Sequence, residues 1–510
     1  MYNLMHAIQA TILVERGRIA SIYPNPHGVE IISEQGTHFY PHAWIIPGLV
    51  DSHCHLYGLG NTLTGLSLYS AKSAQECVQQ ALQSIHTSQG WIVGNGWNQE
   101  LWDQNLFPNK DILDTAFPHQ PVYLRRADGH AAWVNSKALE IAGINKDTPH
   151  PMGGSIFMED SSPTGILIDN AMNLVADCIP ESSPEEIKRD IIAAVDHCSS
   201  LGLTEVHDMD VHPTLLPYYL EMAESGSLPI RIQSYIRAQN DEWSTFGYLP
   251  AVGEFMRIVG LKFFADGALG SRGAALLDHY SDADTKGLFL LQEEQLFEKA
   301  VKGLEYGWNI STHAIGDAAN RMVINVYERL RQQGFASQDD ILRIEHAQIV
   351  HPEDINRISL HSIKTAIQPI HCISDASMAD SRLGNRTSYA YPWKSLIDIG
   401  LHPAGGSDFP IESGNPFIGI SAFCNRIPFL SHNPWHGEQI IQRQHAILAY
   451  TQWAHEASGM DYRRGKLHHK FDADFTIIDK NIETCTNDEL GSIQVLATYT
   501  AGIRRFSKNN

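Results

Sequence analysis

The chain has 510 residues and a formal net charge of −21, with 43% hydrophobic and 19% charged side chains. That length asks for one large domain plus a smaller one, the composition is globular rather than disordered, and the acidic balance repels phosphate backbones, which argues against a nucleic-acid partner. No apolar run reaches a membrane span, the start "MYNLMHAIQATILVERGRIASIYP" lacks the features of a secretory signal, and seven cysteines without a CxxC pair suit reduced thiols, so a cytoplasmic protein away from membranes is expected.

The first residues hold short alternating runs, "AIQATILV", "RIASIYP" and "VEIIS", which read as antiparallel strands. The last part, with "ADFTIIDK" and "QVLATYTAGIRRF", reads the same way. Both ends together predict one small β-sandwich, 1–47 with 463–510, flanking a different middle at 48–462. That middle opens on "IIPGLVDSHCHLYG", Ile45 to Gly58, where Ile45, Ile46, Leu49 and Val50 predict one strand with Pro47-Gly48 inside it. Side chains two apart on a strand point the same way, so His53 and His55 project together from its end, as half of a metal site.

The next strand comes only after a long insertion at about 60–182, lid-like in placement, which contains "WIVGNGWNQELW" and "RRADGHAAWVNSKAL". The strands "LTEVHDM", "IRIQSYI", "RIVGLKFF", "WNISTH", "ILRIEH", "SIKTAIQP" and "GLHPAGGSD" then follow, most of them separated by helical patterns. Ser183 reads as an N-cap with Pro184 at the first helical position, and Gly202, Gly307 and Gly334 as helix stops. Eight strands alternating with helices predict an α/β fold, a (β/α)8 TIM barrel.

In such a barrel the chemistry sits at the C-terminal ends of the strands. Lys262, His313, Glu345-His346 and Ser407-Asp408 stand there, with His53 and His55. With 26 histidines in the chain a lone one carries little weight, so the agreement among strand ends is what counts. Imidazoles with a carboxylate suit zinc, manganese, iron or nickel. A lysine carboxylated by CO2 becomes an anion able to bridge two ions; left unmodified, it would pair with a carboxylate instead.

The chain resembles the amidohydrolase superfamily, and within it the YtcJ-like branch, amidohydrolase family 3. The motifs that carry the resemblance are "PGLVDSHCH", "GNGWNQELW", "DGHAAWVNSKAL", "GGSIFMEDSSPTGIL", "LKFFADGALGSRGAAL", "THAIGDAAN", "RIEHAQ", "IQPIHCISD" and "GGSDFPIESGNP". The chain departs from the branch near its end, reading "LHHKFDADF" where a Pro-Gly turn usually precedes "ADF". The resemblance implies metal ligands at His53, His55, His313 and His346, a bridging Lys262 and a catalytic Asp408. It also implies pocket residues at Trp97, Asp128, His130, Asp266, Arg272, His371 and Asp375.

The function expected is a metal-dependent hydrolase of amide or other non-peptide C–N bonds in a small molecule, with two zinc ions per chain and Asp408 as proton shuttle. A mononuclear deaminase is the second reading. A non-catalytic regulator is the third, because some relatives bear the name exoenzyme regulatory protein AepA. Trp97 has a packing role as its alternative, Arg272 a structural ion pair and Asp408 a helix cap. A homo-oligomer is compatible with each reading.

Overall fold

The computed structural model describes residues 7–83, 87–88, 90–103, 106–127, 129–151, 153–429 and 431–508. Eight parallel strands form the barrel: β1 Leu49–Cys54, β2 Leu203–Val211, β3 Arg231–Arg237, β4 Met256–Phe264, β5 Asn309–Ala314, β6 Leu342–His346, β7 Lys364–Ile367 and β8 Ala404–Gly405. Each is hydrogen-bonded to the next in parallel register. The ring closes just beyond β8, where Asp408 N–H donates to the His53 carbonyl at 2.7 Å and His55 N–H to that of Phe409 at 2.8 Å. Glycine at 406 permits this approach, because a Cβ there would lie 2.6 Å from the His53 nitrogen.

β1 and β6 are buried along their whole length. Strands covered on both sides read as near-continuous apolar runs; here buried polar residues interrupt them, Glu205, Arg231, Gln233 and Arg343 inside the strands as well as the histidines at the C-terminal ends. Helices such as Pro184–Ser200, Glu293–Glu305 and Asp317–Gln332 alternate with the strands. The first is capped reciprocally: Ser183 N–H donates to Glu186 Oε2 at 2.8 Å, and Glu186 N–H to Ser183 Oγ at 3.3 Å. Gly202, Gly307 and Gly334 end their helices with φ of 87°, 82° and 77°, values that glycine adopts without a Cβ clash.

Two corrections concern the ends of the chain. The apolar run at 45–50 is not one strand. Trp44–Pro47 joins an antiparallel sheet with Phe475–Ile478, Val495–Thr500 and Ile503–Ser507, whereas Leu49–Cys54 enters the barrel. Pro47-Gly48 is the break between them. Nor are all the N-terminal pairings antiparallel, since Ala10–Glu15 runs parallel to Gly28–Ser33. Its sheet, with Arg18–Pro24 and Gly36–Pro41, packs against the C-terminal sheet through Ile12, Ile19, Val29, Ile31, Phe475 and Ile477.

The barrel and these sheets form one compact unit, 1–56 with 195–510, and Tyr57–Ala194 forms a second. The second has its own mixed sheet, including Trp91–Trp97, Val122–Arg126, Ala131–Val134, Gly154–Glu159 and Ser162–Asp169. Its core gathers Leu113, Leu124 and three tryptophans, Trp97, Trp102 and Trp133. Among the described residues no helix is long and apolar enough to cross a membrane.

Candidate active site

The residues at the strand ends converge. Asp408 Oδ1 lies 3.1 Å from His55 Nε2 and 3.5 Å from His53 Nε2, so these three side chains form one ligand-competent group. His346, His371 and Asp408 form a second such group, with the His371 Nε2 3.9 Å from Asp408 Oδ2. The His313 ring stands beside it, its centroid 4.5 Å from that of His346.

Two of these residues reach the site by unusual backbone. In a regular strand neighbouring side chains face opposite sides, yet Glu345 and His346 both face inward. His346 has φ of 74° and Ala347 of 42°, which turns the ring back into the barrel. Asp408 has φ of 62°. Non-glycine residues in this region cost of order 1–3 kcal/mol and cluster where function holds them.

The imidazoles are oriented from behind. His53 Nδ1 donates to Glu345 Oε2 at 2.5 Å. Glu345 also accepts from Ser311 Oγ at 2.7 Å and pairs with Arg343, whose Nε lies 2.6 Å from Oε1. His55 Nδ1 meets the Met209 carbonyl at 3.0 Å, and His346 Nδ1 the Gln368 Oε1 at 2.7 Å. In each case Nε2 is left to face the site, as ligating histidines require. Burial and the Lys262 charge push His53 down to about 4 and His313 to about 3. Both rings are therefore neutral near pH 7, the form that binds metals.

Lys262 is fully buried, and its Nζ has no hydrogen-bond partner. Burial pushes its pKa down, against the pull of Glu345 and Asp408. The Nε2 atoms of His313 and His371 are likewise buried without a hydrogen bond, with Asp266 Oδ1 3.5 Å from the first and Asp408 Oδ2 3.9 Å from the second. Each such orphan costs about 1–3 kcal/mol when nothing satisfies it. Three of them converging with a carboxylate and further imidazoles make a donor set that suits a divalent transition ion. Around them opens a cavity of about 370 Å³, with Phe264, Leu269, Ile315, Met378 and Ile411 on its apolar walls.

The family model described as "Amidohydrolase family" matches residues 43–505. This chain belongs to the amidohydrolase family. It is a metal-dependent hydrolase with the His/Asp groups above as candidate ligands. The YtcJ protein of Bacillus subtilis (strain 168) is 34% identical over 90% of this chain and 88% of its own length. The N-substituted formamide deformylase of Arthrobacter pascens is 25% identical over 91% and 88%. Among solved structures, an uncharacterized metal-dependent hydrolase from Pyrococcus horikoshii OT3 superposes with a TM-score of 0.77 at 25% identity, covering 94% of this chain and 99% of that one.

The other expected pocket residues of this amidohydrolase scatter. His371 and Asp375 line the cavity, and His371 stands in a ligand-competent group rather than only beside substrate. Asp266 is fully buried and accepts three backbone N–H bonds, from Ala275, Ile315 and Gly316, at 2.8, 3.0 and 2.8 Å. It organises the loops after β4 and β5, and its Oδ1 lies 3.5 Å from His313 Nε2. Arg272 is taken by Asp282, with Nε to Oδ1 at 3.1 Å and Nη2 to Oδ2 at 3.0 Å, and is absent from the cavity wall. Trp97 is a core residue of the Tyr57–Ala194 unit, its indole N–H donating to the Leu124 carbonyl at 2.7 Å. His130, in the same unit, pairs with Asp169 at 2.8 Å. Asp128 lies outside the described residues. Sequence reasoning missed Glu345 and Gln368 as orienting groups. The signal available for Glu345 was its adjacency to His346.

Proposed function

We propose that this chain hydrolyses amide or other non-peptide C–N bonds of a small molecule, with two divalent ions, zinc by ligand preference, held by this site. His53, His55 and Asp408 would hold one ion, and His313 and His346 the other, with His371 in reserve and Lys262 as bridge. The observation that carries the reading is the unpartnered amine of Lys262 buried among the ligands. A free amine there adds to CO2: the nitrogen lone pair forms an N–C bond, one proton leaves to water, and an anionic carbamate with two oxygens replaces the cation.

When bound, such ions lower the pKa of water and polarise a carbonyl. The chain's own residues do the rest. Asp408 accepts the proton of the attacking water as its oxygen bonds to the carbonyl carbon. It then delivers that proton to the nitrogen as the C–N bond breaks. Glu345, Met209 and Gln368 keep the imidazoles turned so that their Nε2 atoms face the centre. The apolar walls pack against the substituent.

The test is metal content per chain, amine release from a panel of N-formyl and N-acyl amines, and a carbamate carbon signal after exposure to 13C-bicarbonate. Two ions and a carbamate are expected. One ion in a fully loaded preparation, with unmodified Lys262, would sink the two-ion form and favour a mononuclear deaminase built on His53, His55, His313 and Asp408, with His346 beside the water.

A further inference from the structure

The walls of the cavity carry charge that the chemistry of bond cleavage does not use. Asp375 and Glu412 both line it. Asp375 Oδ2 accepts from the Tyr391 hydroxyl at 2.9 Å, and Glu412 Oε1 from Ser374 Oγ at 2.5 Å. Tyr391 is itself held by Gln348, whose amide donates to its hydroxyl at 2.7 Å. These contacts fix each carboxylate through one oxygen. Among the described residues neither acid has a lysine or arginine partner, though the His371 ring acts on Asp375, and of the described residues lining the cavity Lys262 is the one such cation. The nearby guanidiniums are committed elsewhere. Arg272 and Arg382 both close on Asp282, and Arg382 also donates to the Gly270 carbonyl at 3.1 Å.

A carboxylate-bearing substrate would therefore meet two like charges and no free guanidinium. A substrate carrying an ammonium or amidinium would find two anchored carboxylates beside the apolar faces of Met378 and Ile411. A fixed carboxylate pairs strongly with a planar or tetrahedral N–H cation when both are partly withdrawn from water. The same cavity holds the ligand-competent histidines and Asp408, so a group bound at Asp375 and Glu412 would lie in the pocket where the reaction takes place.

We propose that Asp375 and Glu412 form a cation subsite, and that the substrates of this enzyme are amides whose amine or acyl portion bears a positive charge near an apolar group. This rests on the hydrolase reading above and narrows its substrate class. Like charges placed against a wrong ligand are a standard source of discrimination, so acyl compounds ending in a free carboxylate are disfavoured by the same two residues.

The test compares N-(para-aminomethylbenzyl)formamide with its uncharged para-methylbenzyl counterpart, using metal-loaded wild type and the double variant Asp375→Asn/Glu412→Gln. In wild type kcat/KM should favour the cationic formamide by about tenfold or more, the scale of one well-placed charge pair. In the variant the ratio should fall to near one. A wild-type ratio near one, or a ratio that the variant leaves unchanged, overturns the subsite. Calorimetric binding of benzamidinium against benzyl alcohol separates this from failure of the hydrolase reading. If neither formamide is cleaved but benzamidinium binds preferentially, and the variant loses that preference, the subsite stands and the assigned reaction falls. Equal binding of the two probes overturns the subsite whatever the turnover.

Discussion

Replacing Glu345 should damage metal binding and stability by separable amounts. The carboxylate is fully buried between His53 Nδ1 at 2.5 Å and the Arg343 guanidinium, whose Nε is 2.6 Å from Oε1. Burial raises the cost of its charge, but Arg343 and His53 outweigh that and hold its pKa well below the usual carboxylate range. Glu345→Gln keeps the shape and removes the charge, stranding a buried guanidinium. Breaking a buried pair by neutralising one partner costs about 3–5 kcal/mol. Losing the group that orients a ligating imidazole costs about 10–100-fold in metal affinity. Glu345→Asp separates the two effects. It retains the charge for Arg343 but is shorter by one methylene, so the His53 contact should be lost while most of the stability remains. Ser311→Ala removes one hydrogen bond to the same ionised carboxylate, at 2.7 Å, and should cost about 1.5–3 kcal/mol, less than loss of the charge. The assays are denaturant unfolding of the metal-stripped proteins and titration of those proteins with cobalt(II), followed by its visible absorption. Wild-type cobalt affinity in both Glu345 variants would refute the orienting role, whatever the stability.

Lys262→Ala should lose metal occupancy, and acetate or propionate should restore part of it by supplying the missing anion; full occupancy in the variant without rescue would mean that Lys262 bridges nothing. Asp408→Asn should remain folded with turnover lower by about 10² or more, whereas a capping role predicts a stable and active variant, because asparagine also caps helices. For Asp474, burial opposes the charge, but Arg231, with Nε 2.8 Å from Oδ2, holds the pKa below its ordinary value. A depressed carboxylate stabilises above the unfolded value of about 4 and loses that contribution as pH falls through the folded value. The stability gap between wild type and Asp474→Asn should therefore be widest above about pH 5 and shrink below about pH 4; a gap that is flat with pH would mean the pair contributes no charge-dependent stability.

The barrel was legible because its strands are short, largely apolar runs, most of them separated by helical patterns, and because histidines, a lysine and carboxylates stand at the ends where the site lies. His53, His55, Lys262, His313, His346 and Asp408 could be picked out on that ground alone. Where the chain changes sheets was not legible. Ile45 to Val50 is continuous in hydrophobicity, yet Pro47 pairs with Phe475 in one sheet and Leu49 begins another. Hydrophobicity records burial and not which neighbour does the burying. Trp97 and Arg272 were ambiguous for the same reason. An indole packs equally well in a core or under a substrate, and a guanidinium ten residues from Asp282 gives no sign in the sequence of which anion it meets.

The deeper gap concerns the orienting groups. Alternation along β6 sends Glu345 and His346 to opposite faces, and on that rule only one of them belongs to the site. The positive φ at His346 breaks the rule and brings both inward. One residue then stands in a ligand-competent group while its neighbour holds the histidine of another strand. Fixing a non-glycine residue in that conformation requires surroundings that over-determine it. Here the bond from His346 Nδ1 to Gln368 and the packing of its ring against His53 and His313, at 4.7 and 4.5 Å between centroids, supply that constraint. The conformation of His346 is thus a collective property of four strands, β1, β5, β6 and β7. It could not be read from β6 alone, and a substitution at Gln368 should loosen it without touching a ligand.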